Sequence, residues 1–116
     1  MKIFYIFLIL FSINNIADEF IVIDVRTPEE FKEGHIEESS NVEWQTISSI
    51  IDEVKKDQKI YLYCRSGRRS QNATNTLIDL GYEDVINLGV IKDAAIFLDR
   101  NICLLYTSDA ADERQS

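Results

Sequence analysis

The sequence predicts an α/β protein built as a central parallel sheet with helices on both faces. Three short apolar runs, at 20–25, 59–63 and 85–88, are rich in β-branched and aromatic residues. Helical apolar spacings at 46–56, 70–80 and 91–100 alternate with them. Strand–helix–strand connections cross over with one hand, which makes neighbouring strands parallel and covers both sheet faces.

Each element has its own warrant. Phe20-Ile21-Val22-Ile23-Asp24-Val25 reads as a strand buried on both sides. Thr27-Pro28-Glu29-Glu30 opens a short helix with a capping hydroxyl, a first-turn proline and acids at the positive dipole end. Phe31 anchors that helix and Gly34 ends it. A short strand is expected around Asn41 and Val42. From 46 to 56, Ile47, Ile50, Ile51 and Val54 define one buried helical face. Residues 59–63 are expected to form the next buried strand. The helix at 70–80 turns Ala73, Leu77 and Leu80 inward and stops at Gly81. Residues 85–88 make a third strand ended by Gly89, and the helix at 91–100 buries Ala95, Ile96 and Leu98. Trp44 is expected to pack.

The chemistry concentrates where the second strand ends, in Cys64-Arg65-Ser66-Gly67-Arg68-Arg69-Ser70. In open α/β sheets, ligands bind beyond the carboxyl ends of the strands. Gly67 supplies backbone freedom at mid-turn, and successive amides ahead of a helix form a nest for negative charge. A thiolate in such a nest, with guanidinium groups beside it, ionises below the free-thiol value of about 8.5. A buried cysteine at a strand end is ordinarily inert, but arginines are poor neighbours for purely apolar burial.

The chain has 116 residues and a net charge of −8. That acidic balance argues against nucleic acid as a partner, and the local arginine cluster suggests a small anion instead. His35 is the only histidine, and with one credible cysteine it makes no metal site of usual composition. No cofactor is expected, and a monomer is. Asp24 and Arg26 are read as buried polar contacts that tie loops together, and His35 as a turn residue.

Several of these segments carry a resemblance. Ile23-Asp24-Val25-Arg26 followed by Thr27-Pro28-Glu29-Glu30-Phe31 and Gly34-His35-Ile36 resembles the opening of a rhodanese domain. Residues 61–70 resemble its active-site loop, and Leu80-Gly81-Tyr82 and 85–89 resemble two later signatures. The chain is most similar to small exported single-domain members, and Glu38 stands where the family usually has glycine. The resemblance implies a rhodanese-like fold and thiosulfate sulfurtransfer. Cys64 would attack the outer sulfur of thiosulfate, release sulfite and hold a persulfide, from which cyanide or a thiol removes the sulfur. It also implies that Arg65, Arg68 and Arg69 bind the sulfonate end, Arg68 foremost, while the amides of Arg65, Ser66, Gly67, Arg68, Arg69 and Ser70 cradle the transferred sulfur. Phosphatases and arsenate reductases of this fold place arginine six positions after the cysteine; here that position is Ser70. The alternatives left open are a persulfide carrier or docking module, a phosphatase or arsenate reductase, and a non-catalytic or redox-sensing domain.

The two ends are read separately from the domain at 18–102. Lys2 and the apolar run 3–11 suggest a signal peptide over 1–17, hence an exported, periplasmic or extracytoplasmic protein. If uncleaved, the leader would be a membrane anchor. Residues 103–116 resemble a translated sequencing adapter and are expected to be read-through, not native. Cys103 is therefore not paired with Cys64 in this reading.

Overall fold

The computed structural model describes residues 19–104. The expected leader at 1–17 lies outside them, as does all of the expected read-through beyond Leu104. Four parallel strands form the main sheet in the order β3-β1-β4-β5, comprising β1 (Ile21–Asp24), β3 (Ser40–Asn41), β4 (Ile60–Cys64) and β5 (Val85–Val90). The central strand β4 is buried along its whole length, which is why its sequence does not alternate.

Two cores flank the sheet. On one face Ile23, Val25, Ile60, Leu62 and Cys64 meet Ile47 and Ile50, together with Ala73 and Leu77 of α2 (Arg68–Asp79). On the other, Val22, Tyr61 and Tyr63 meet Ala94 and Ala95 of α3 (Ile91–Leu98). Each fully buried aliphatic side chain contributes ~1.5–3 kcal/mol. Helices thus cover both faces, as the crossover argument requires. Trp44 packs against the first core.

Thr27 and Glu30 close a reciprocal capping box on α1 (Pro28–Glu33). A second, two-stranded antiparallel sheet joins β2 (His35–Ile36) to β6 (Ile102–Cys103). Two-residue strands carry no periodic signal, so the sequence did not announce it.

Three expectations need correction. The segment expected as an α-helix at 46–56 is a 3₁₀ helix, Trp44–Asp52, interrupted at Thr46. Its three-residue turn stacks Ile47 over Ile50 and swings Ile51 out to 44% exposure. On α3 Ala95 and Leu98 do pack inward, joined by Ala94, whereas Ile96 is 78% exposed. Small side chains let this helix lie close over Tyr61 and Tyr63, and that docking face excludes Ile96. Finally, β5 does not end before Gly89. A bulge opposite Leu62 and Tyr63 carries Gly89 at φ +83° and lets pairing continue to Val90.

Glu38 adopts φ +62°, a left-handed conformation that glycine takes without penalty.

Candidate active site

Strand β4 delivers Cys64 to the carboxyl edge of the sheet, where the chain must turn at once into α2. Gly67 makes that turn at φ +95° as the residue preceding the helix. A side chain there would be strained by this conformation and would point at Gly89. The turn aims donors at the sulfur. The Gly67 amide lies 2.9 Å from Cys64 Sγ, the Ser70 amide 3.4 Å and the Ser70 hydroxyl 3.3 Å. The Gly67 carbonyl, 3.1 Å from Ser70 Oγ, is the alternative acceptor for that hydroxyl's single proton.

Burial pushes the Cys64 thiol up, but the Ser70 hydroxyl and the amides of Ser70, Gly67 and Ser66 outweigh it, so the thiol ionises below its ordinary value. From the sequence, the amide nest and the neighbouring arginines were both expected in this role. In the structure the hydrogen bonds lead, with Arg69 and Cys64 also attracting each other as charges.

The three loop arginines separate. Arg69 makes a two-pronged pair with Glu30, at 2.9 and 3.0 Å. Arg65 lies 3.6 Å from the same carboxylate. Arg68 is exposed at the start of α2 and has no ion pair among the described residues. Ser66 is exposed beside Cys64.

Glu30 was read from sequence only as a helix-opening acid. The Thr27-x-x-Glu30 spacing was the available signal, because a capping box fixes the carboxylate against Thr27, whose amide donates at 2.9 Å. The bond from Arg69 does most to hold the Glu30 carboxyl down at about 2; burial opposes it, and the Thr27 amide assists.

Asn87 was missed altogether. Its amide nitrogen reaches the Gly67 carbonyl at 3.4 Å and Gln71 at 3.1 Å, while its oxygen accepts from the Gly89 amide at 2.8 Å. It buttresses the turn from β5. An asparagine inside a β-branched run, where strands disfavour it, was the only hint.

Next to the loop lies a cavity of about 300 Å³ whose lining includes Arg26, Glu30, Arg65 and Ile91. A larger one, about 1010 Å³, opens at the opposite end of the sheet beside Ile21 and Lys59, away from the thiol. Size does not mark the site here; the converging donors do.

Asp24 and Arg26 form a buried pair at 2.7 Å, and Asn41 donates to both backbone carbonyls. His35 stacks on Phe31 at 3.7 Å, with Nδ1 2.8 Å from the Phe31 carbonyl. The Asp24–Arg26 pair, with Arg26 also donating to the Gly34 carbonyl, makes the buried contacts between loops expected of it, and His35 sits in the expected turn after α1. Among the described residues no group of His, Cys, Asp and Glu is arranged to hold a metal ion.

A thiol at a strand end, ringed by amides before a helix, on a β3-β1-β4-β5 parallel sheet, defines a class that known proteins share. Residues 13–89 match the family profile described as a rhodanese-like domain, and the chain belongs to that family. It is 35% identical over 72 residues to a sulfurtransferase of Allochromatium vinosum, covering 62% of this chain and 67% of the relative. It is 33% identical over 76 residues to the thiosulfate sulfurtransferase PspE of Escherichia coli, covering 64% and 73%. A solved rhodanese with anions from E. coli superposes with a TM-score of 0.61 at 31% identity, covering 65% of this chain and 91% of that one. The family and these relatives are consistent with sulfur transfer between a donor and an acceptor.

Proposed function

We propose that the protein is a thiosulfate sulfurtransferase that carries sulfur as a Cys64 persulfide. One observation carries the reading. Gly67 N–H, Ser70 N–H and Ser70 O–H converge on Sγ at 2.9–3.4 Å, a shell of donors suited to an anionic sulfur. In the proposed reaction the thiolate attacks the outer sulfur of thiosulfate. A new S–S bond forms, the S–S bond of thiosulfate breaks, and sulfite leaves with its electron pair. The persulfide's terminal sulfur is itself anionic and falls to the same amides. Cyanide or a thiolate then takes that sulfur and restores Cys64. Arg68 holds the sulfonate end, with the backbone of Arg65 to Ser70 as the cradle.

Mass spectrometry of the protein mixed with thiosulfate tests this. The expected result is a gain of one sulfur on Cys64 that cyanide removes; a chain that never gains it rules the reading out.

A second reading, a persulfide carrier with little thiosulfate turnover, is favoured by the engagement of Arg65 and Arg69 with Glu30. That pairing leaves fewer cations for a dianion. Thiosulfate-dependent thiocyanate formation separates the two. The phosphatase or arsenate reductase alternative is disfavoured by Ser70 in place of an arginine. Export is proposed from the apolar leader alone; no described helix is long and apolar enough to cross a membrane.

A further inference from the structure

We infer that Glu30 sets which charge of sulfur donor the Cys64 loop accepts, favouring singly charged donors over dianions. The inference rests on the sulfurtransferase reading above and deepens it. Glu30 holds Arg69 through two hydrogen bonds and lies 3.6 Å from Arg65, so one carboxylate faces two of the three loop cations. It cannot swing away, because the Thr27 amide and hydroxyl fix Oε1 at 2.9 and 3.1 Å. With Cys64 ionised, three guanidinium groups, one carboxylate and one thiolate leave a single net positive charge. A donor bearing one negative charge neutralises that site, whereas a dianion leaves it negative.

An organic thiosulfonate is the matched probe. The thiolate forms an S–S bond to its terminal sulfur, the bond from that sulfur to the sulfonyl sulfur breaks, and a sulfinate leaves with the electron pair. Net charge is conserved, as it is with thiosulfate and sulfite.

The experiment compares kcat/KM for thiosulfate and for benzenethiosulfonate, with cyanide as acceptor, in the wild type, Glu30→Gln, Glu30→Asp and Glu29→Gln. Glu29 is exposed on the same helix and serves as the charge-matched control. Glu30→Gln is expected to shift the ratio toward thiosulfate by roughly tenfold, mainly through KM, as removal of one charge near the donor would do. Glu30→Asp keeps the charge and should keep the wild-type ratio even where it lowers both rates. Glu29→Gln should move the ratio by less than about twofold, since exposed charges are screened. An unmoved ratio in Glu30→Gln, an equal shift in Glu30→Asp, or an equal shift in Glu29→Gln overturns the inference while leaving sulfur transfer intact. Failure of the wild type to take sulfur from either donor overturns the underlying reading as well.

Discussion

Strands β1 and β4 lie side by side and end at the same edge of the sheet, yet their polar groups behave in opposite ways. At the end of β1, Asp24 and Arg26 satisfy each other. Arg26 Nε reaches both carboxylate oxygens at 3.0 and 3.1 Å, and its amide bonds Asp24 Oδ1 at 2.9 Å. Arg26 also donates to the Gly34 carbonyl, and its guanidinium lies over the Tyr63 ring at 5.8 Å. Burial would lower the Arg26 pKa, but Asp24 outweighs it and keeps the group charged. Tyr63, raised by burial, stays a neutral hydroxyl that accepts the Ile36 amide at 3.0 Å. At the end of β4 the donors have an atom that can be charged or neutral, and Glu30 holds the Arg69 guanidinium through two hydrogen bonds. A closed network gives stability, while an open cradle with an ionisable centre gives reactivity.

That contrast can be broken from either side. The largest effect should come from Cys64→Ser: sulfur uptake falls by roughly a thousandfold or more, while the urea midpoint hardly moves. A large drop in midpoint would mean that the thiol supports the fold and the contrast is false. Asp24→Asn should do the reverse. It leaves a buried guanidinium without its partner charge, at a cost of about 3–5 kcal/mol, read from urea unfolding. A loss below about 1 kcal/mol would show that the pair is not held as drawn.

Ser70→Ala sharpens the comparison within the cradle. The hydroxyl donates to the anion, so it favours the ionised form; its removal raises the thiol pKa. Alkylation by iodoacetamide at neutral pH should slow roughly tenfold, about one lost hydrogen bond to a charged group. Rates should converge with the wild type once pH exceeds both pKa values. A pH profile that does not move would remove the hydroxyl from the account. The smallest effect is expected at Glu38→Gly, which relieves the φ +62° conformation. A gain of about 1 kcal/mol is expected, and since the Glu38 side chain is 79% exposed, its contact with Arg100 should count for little.

Much of this was legible before any coordinates. The strand ending at Cys64, the glycine turn and the α/β alternation follow from patterns that physics makes local, namely β-branched runs, caps and backbone freedom. The legible part of the site was likewise the contiguous part, Cys64 to Ser70. What could not be read joins distant segments. Glu30 meets Arg69 across 39 positions, and Asn87 meets Gly67 across 20. The 3₁₀ geometry at Ile47 and Ile50 escaped for another reason: an i, i+3 pair fits either helix type, and packing against the sheet decides between them. Ile96 escaped because an apolar residue one position from a docking face looks the same in sequence as one on it.

The bridge between α1 and the start of α2 has a consequence for assembly. Glu30 and Arg69 stand 39 positions apart and meet in the folded chain, so the full set of charges around the sulfur is absent from an unfolded one. An unwound chain carries a sluggish, commonplace thiol. The donors that favour the thiolate lie within six positions of Cys64, so the loop and the start of its helix arm the sulfur, and the distant bridge adds only the charges around it.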